Sequence, residues 1–146
     1  MRRATVRDID ALVSLENACF KSDRESREDF LLFIRSPLAI LLIETERDRA
    51  VGYALVMCSR FQAPRLFSLC SRKRGFGRKM LAAAERATAE RGHRKLSLKV
   101  RVDNLRAIDL YERAGYKRRL PDLRNYYVDH SNARRYVKWL TTESAT

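Results

Sequence analysis

Arg72-Lys73-Arg74-Gly75-Phe76-Gly77-Arg78 sets two glycines, one residue apart, inside a dense run of cations. Leu66, Phe67 and Leu69 before it read as a short strand, and Met80-Leu81-Ala82-Ala83-Ala84-Glu85 after it opens a helix of high intrinsic propensity. Glycine lets the backbone turn tightly and leaves no Cβ between its amides and a ligand. The first N–H groups of a helix lack intrahelical partners and lie at the positive end of its dipole, which suits a phosphate. Arg72, Lys73, Arg74, Arg78 and Lys79 surround that turn, so the stretch is built for a polyanion. It is not a P-loop, because Arg78-Lys79 stands where that loop needs Lys-Ser/Thr. It is not a dinucleotide fingerprint either, since the third glycine and a later acid for the ribose are both missing. What remains is R-x-x-G-x-G at a helix start, which on its own could also be a basic turn and nothing more.

A second block lies downstream. Leu96-Ser97-Leu98-Lys99-Val100-Arg101-Val102 alternates apolar with polar and reads as a strand. Asp103-Asn104 offers a helix cap, Leu105, Ile108, Tyr111 and Ala114 recur at helical spacing, and Gly115 ends the helix before Tyr116. The basic glycine loop, followed by Val102-Asp103-Asn104, Ala107-Ile108 and Leu110-Tyr111-Glu112-Arg113-Ala114-Gly115-Tyr116, resembles the paired signatures of the GNAT acyl-CoA N-acyltransferases. The subgroup it is most similar to acetylates ribosomal-protein alanine amino termini.

The resemblance implies acetyl-CoA as cofactor and a direct transfer to an amine. It places Leu69 and Cys70 on the strand that binds the pantetheine arm. Arg72, Arg74, Gly75, Phe76, Gly77 and Arg78 would surround the diphosphate, and Asn104 would contact the pantetheine-to-phosphate region while also capping its helix. Tyr111 matches the general acid that protonates the leaving thiolate, a task that suits a phenol of ordinary pKa about 10; at helical spacing it could equally be a core aromatic. Substrate-side positions implied by the family are Phe20, Glu25, Lys99, Tyr126 and Tyr127, with Glu16 and Cys19 beside the first of these. Asn125-Tyr126-Tyr127 resembles a segment that lines the peptide channel of amino-terminal acetyltransferases, so a peptide or protein amino group is the expected acceptor and a small amine the alternative.

Two departures stand out. Lys99 occupies the position where the subgroup carries a glutamate base, and a lysine replaces that base only if burial lowers its pKa strongly. That leaves open another carboxylate, a bound water, an amine that arrives neutral, or a catalytically silent acyl-CoA-binding module. Cys70-Ser71-Arg72 also leaves fewer residues between strand and loop than the family usually has.

The elements that must position these residues follow from periodicity. Arg2 to Thr5 reads as a first strand, Asp8 caps a helix running towards Phe20, and Ser26 to Arg35 is a second helix stopped before Pro37. Leu38 to Glu44 and Ala50 to Met57 form a hairpin about Glu46-Arg47-Asp48-Arg49, and Arg134 to Leu140 is the last strand. The expected fold class is α/β (α+β): one domain over residues 1–146, with a mixed, mostly antiparallel sheet flanked by helices on both faces and a frayed tail at 141–146.

Composition agrees with an enzyme domain. At 146 residues and 45% apolar, the chain can bury one core. No apolar run is long enough for a membrane span, and Met1-Arg2-Arg3 does not open a signal peptide, which points to the cytoplasm. Cys19, Cys58 and Cys70 are odd in number without C-x-x-C spacing and read as buried, reduced thiols, and two histidines argue against a zinc site. The net charge of +13 is spread through every segment. Neither interleaved aromatic and basic residues nor a helix-turn-helix is visible, so the sequence argues against nucleic acid and treats most of this charge as solvated surface. A monomer and a homodimer fit equally well.

Overall fold

The computed structural model describes residues 1–141; the tail expected to fray lies, beyond Thr141, outside the described residues. Seven strands form one sheet in the order β1-β2-β3-β4-β5-β7-β6: β1 (Arg2–Arg3), β2 (Ala39–Glu46), β3 (Arg49–Met57), β4 (Arg65–Ser71), β5 (Lys95–Arg101), β6 (Lys117–Leu123) and β7 (Ala133–Trp139). Every neighbouring pair is antiparallel except β4 and β5. Four helices cover it: α1 (Ile9–Cys19), α2 (Arg27–Arg35), α3 (Phe76–Glu90) and α4 (Leu105–Arg113).

Local chemistry sets the boundaries. Ser26 and Asp29 close a capping box at the start of α2, through Asp29 N–H to Ser26 Oγ at 3.1 Å and Ser26 N–H to Asp29 Oδ2 at 2.9 Å. Asn104 Oδ1 accepts the Ala107 N–H at 3.2 Å and starts α4. The β2–β3 turn passes through Arg47 and Asp48, both at positive φ, as a tight hairpin requires. The first strand is shorter than its sequence suggests, Arg2–Arg3 only, because Val6–Asp8 winds into a 3-10 turn ahead of α1.

The sheet separates two cores. Leu12, Leu15 and Phe30 of α1 and α2 pack on Leu41, Ile43, Tyr53 and Leu55. On the other face Met80, Leu81 and Ala84 of α3, with Ile108 and Tyr111 of α4, cover Ile40, Val56, Leu66, Leu96, Leu98 and Tyr136. Buried Glu85 is satisfied by the Tyr116 hydroxyl at 2.9 Å and Lys138 Nζ at 3.0 Å, so its charge carries no unpaired penalty.

Gly52 in β3 shows how closely α3 sits. A Cβ there would lie 2.4 Å from Met80 Sδ and 2.5 Å from the Cys70 carbonyl oxygen. The thioether can swing away but the β4 backbone cannot. Gly52→Ala is therefore expected to destabilise by roughly 1–3 kcal/mol, the usual cost of overpacking, seen as a lower midpoint in urea.

One expectation is corrected. Cys19 and Cys70 are not separate thiols: they form a disulfide between the end of α1 and the end of β4, leaving buried Cys58 as the free cysteine among the described residues. Their 51-residue separation hid the pairing, which depends on α1 lying across β4.

Candidate active site

The parallel junction of β4 and β5 creates the site. Only Arg65↔Ser97 and Leu66↔Leu98 are paired; beyond them the strands part. A register shift helps to part them, because Leu55 faces Ser68 while Val56 faces Leu66, so Phe67 is the extra residue of a bulge. Past this point β4 has an edge whose N–H and C=O groups no longer meet β5, a ready partner for an extended amide-bearing ligand.

A cleft of about 930 Å³ opens from this splay. Its walls are Leu69, Cys70 and Ser71 of β4, the loop from Arg72 to Gly75, the first turn of α3 at Gly77 and Arg78, and α4 from Asn104 to Arg113. Ala18, Cys19 and Phe20 close it from the end of α1. Gly75 caps α3 in the left-handed region with φ +88, no side chain caps the helix, and its first turn holds no acid. A Cβ on Gly75 would meet nothing within 4 Å, so the cradle is open. Orphan amides, an open turn and the cations Arg72, Arg74 and Arg78 make an anion site on every physical count.

Tyr111, only 8% exposed, looks into the cleft from α4. Its ring packs edge-on against Tyr116 at 5.9 Å, but its hydroxyl has no hydrogen-bond partner among the described residues. Burial, reinforced by nearby Tyr127, pushes its pKa up, so it holds its proton throughout the neutral range.

The family model for the acetyltransferase (GNAT) family matches residues 9–116, well over half of the chain. This chain belongs to the GNAT acetyltransferase family. It is an N-acetyltransferase that uses acetyl-CoA. In structure it is similar to the ribosomal-protein-S18-alanine N-acetyltransferase of Escherichia coli, at TM-score 0.83 and 22% identity over 96% of this chain and 92% of that one. It is likewise similar to Ard1 from Thermoplasma volcanium, at 0.84 and 21% over 96% of each chain. The PaiA N-acetyltransferase of Thermoplasma acidophilum, solved with coenzyme A, aligns at 0.76 and 16% over 92% of this chain and 95% of that one. No curated protein sequence matches significantly.

The cleft of this acetyltransferase brings together Leu69, Cys70, Arg72, Arg74, Gly75, Gly77, Arg78, Asn104, Tyr111 and Phe20 from the sequence-based set. Phe76 is the exception on the phosphate side: it does not line the cleft, and Lys73 and Lys79 lie over its ring at 5.9 and 5.6 Å. After Cys70, β4 runs on to Ser71, and the Arg72 N–H donates to Val51 O at 2.8 Å before the loop turns.

Glu25, Lys99, Tyr126 and Tyr127 do not line this cleft. Lys99 Nζ stands over Tyr126 at 5.1 Å, and Tyr126 and Tyr127 meet edge to face at 5.0 Å. Arg101, overlooked in the sequence, ties this region together. It reaches Asp23 at 3.5 Å, bonds Asp129 and, at 3.0 Å, Ser131, and stacks over Tyr127 at 4.6 Å. The α1–α2 loop is thereby stitched to the β6–β7 loop.

Glu16 and Glu25, both expected near the substrate, belong to a polar cluster at the α1–α2 loop whose other members, Tyr53 and Ser68, the sequence does not single out. Buried Glu16 accepts the Tyr53 hydroxyl on Oε1 and the Glu25 N–H on Oε2 at 2.6 Å, and the Tyr53 hydroxyl lies 2.8 Å from Ser68 Oγ on the splayed part of β4. Glu25 sits half-buried above it. Burial, with Asp29 and Glu16 close by, raises the Glu25 pKa to about 7.

Proposed function

We propose that this enzyme acetylates the amino terminus of a peptide or protein, with Glu25 as general base and Tyr111 as general acid. The observation that carries the reading is the unpartnered Tyr111 hydroxyl on the wall of the cleft; half-buried Glu25 in the α1–α2 loop, whose carboxyl burial pushes up to about 7, supports it. Bound acetyl-CoA would supply an acetyl thioester, and the amides of Gly77 and Arg78, the side chains of Arg72 and Arg74, and the free edge of β4 at Leu69 and Cys70 would hold it.

Glu25 removes a proton from the acceptor ammonium. An α-ammonium ordinarily loses its proton near pH 8 and a lysine side chain above 10, so a base near 7 faces a gap of about one unit in the first case and over three in the second. This matching favours a chain terminus over a lysine. Lys99 beside the acceptor path repels polyamines, which argues against small cationic acceptors. Phe20, Tyr126 and Tyr127 supply walls for an extended peptide, and Arg101 fixes the two loops that carry them. The freed amine attacks the thioester carbonyl, so the C–N bond forms as the C–S bond breaks; Tyr111 Oη gives its proton to the departing sulfur, and the second proton shed by the nitrogen restores the phenol. The low-dielectric surroundings that raise the phenol also raise the thiolate's proton affinity, which keeps donor and acceptor matched.

The test is a pH profile. The kcat/KM for a peptide amine should rise through a limb near pH 7, and Glu25→Gln should abolish that limb and cost roughly 100-fold or more at pH 7. An unchanged limb in Glu25→Gln would overturn the assignment of the base. Folding carries the opposite sign. Glu25 has a folded pKa above its unfolded one, so stability should fall as pH rises between about 4.5 and about 7.

A further inference from the structure

The core beneath α1 and α2 is drawn from β2, β3 and β4, so the same face of β5, β7 and β6 carries no helical layer among the described residues. Strand register decides what that face displays. Lys99 pairs with Arg135, which pairs with Arg119; Ser97 pairs with Val137, which pairs with Lys117; Lys95 pairs with Trp139. The alternate residues Leu96, Leu98, Val100 and Tyr136 point the other way, into the core under α3. Arg65, opposite Ser97 on β4, completes the set.

Arg65, Lys95, Lys99, Lys117, Arg119 and Arg135 form no ion pair with a carboxylate among the described residues. The row Lys99–Arg135–Arg119 puts three like charges on directly opposed positions of adjacent strands, an arrangement that destabilises a sheet. An external anion would relieve it. Three aromatics stand among the cations: Trp139 at 63% exposure, Phe67 at 39% and Tyr126 at 38%. Each carries a cation over one ring face, Lys95 at 4.4 Å, Arg65 at 5.0 Å and Lys99 at 5.1 Å.

We propose that this open face of β5, β7 and β6 binds single-stranded nucleic acid. Cations spaced across neighbouring strands follow a phosphate backbone, and exposed rings offer planes on which unpaired bases stack. A three-stranded face is broader than the two-stranded ribbon that a major groove admits. Neither an acidic peptide nor an anionic membrane gives the rings a stacking partner, so the aromatics select the single strand. The surface is separate from the glycine turn ahead of α3; it shares Lys99 and Tyr126 with the proposed peptide path, but Lys117, Arg119, Arg135 and Trp139, the residues varied below, are not part of that path.

The experiment measures fluorescence anisotropy of a labelled oligouridine 12-mer with the full chain between 50 and 300 mM salt. Expected is binding whose log K falls with log salt at a slope of about −2 to −3, corresponding to three or four phosphates. Lys117→Glu/Arg119→Glu/Arg135→Glu should weaken it by roughly 100-fold or more, and Trp139→Ala by about 10-fold with an unchanged slope. If the triple variant misfolds by circular dichroism, Lys117→Glu/Arg119→Glu on the exposed edge strand serves instead. A control with the same charge change, Arg7→Glu/Arg47→Glu/Arg86→Glu, should retain most of the affinity. The proposal is overturned if control and face variants lose affinity equally, if coenzyme A displaces the oligonucleotide, or if no binding occurs at 50 mM salt. Tighter binding to polyglutamate or to phosphatidylserine vesicles would overturn it as well.

Discussion

Tyr111→Phe is expected to lower kcat roughly 100- to 10,000-fold while leaving coenzyme A affinity and stability almost untouched. The reasoning rests on what the hydroxyl lacks. In a packed interior a phenol normally finds a partner, because an unmade hydrogen bond costs about 1–3 kcal/mol. Tyr53, Tyr116 and Tyr136 all follow that rule, bonding Glu16, Glu85 and Glu112. The Tyr111 hydroxyl has no partner among the described residues, although its ring is buried in the core beside Tyr116. Removing the oxygen therefore breaks nothing in the fold, and only chemistry should register the change. Stopped-flow turnover with calorimetric titration of coenzyme A separates the two. A fall in affinity as large as the fall in kcat would assign Tyr111 to binding instead.

The second large effect has opposite signs for binding and for stability. Gly77 is the second residue of α3, and its Cβ would meet only Leu110 Cδ2 at 3.4 Å. An aspartate there suits the helix, since it replaces a poor helix former and sets a negative charge against the positive end of the dipole. It also projects a carboxylate into the anion cradle and competes for the first-turn amides. Gly77→Asp should hold or raise the thermal midpoint while weakening coenzyme A by roughly 2–4 kcal/mol, about 30- to 1,000-fold. Loss of both together would mean that the substitution merely damages the helix.

Much of the architecture is local in origin and therefore legible in the chain. The α2 boundary follows from Ser26 and Asp29, the hairpin from the charged turn at Arg47-Asp48, and the left-handed turn into α3 from glycine spacing. These signals act over a few residues. The rest depends on register and on distant segments meeting. No local pattern shows that β4 and β5 share just two residue pairs, yet that splay is the cleft. Nor does it show that Cys19 reaches Cys70, that Glu16 lies under Tyr53, or that Arg101 gathers Asp23 and Asp129. Phe76 is a subtler case: sequence adjacency puts it among the phosphate-loop residues, but helical rotation turns its ring to Lys73 and Lys79. The cations of the open face are scattered along the sequence and form a row only when β5, β7 and β6 lie side by side.

With so few bonds between β4 and β5, the two halves of the sheet need another fastening, and α3 provides it. Met80, Leu81 and Ala84 lie in one core with side chains from β2 and β3 on one half and from β5 and β7 on the other. This helix also presents its front end, at Gly77 and Arg78, to the cleft proposed for the cofactor. Whatever grips that end tightens the brace between the halves, so a ligand at 100 times its Kd adds about 2.7 kcal/mol to the whole molecule. Amide exchange on strands far from the cleft, β2 and β7 among them, should slow together once coenzyme A is added.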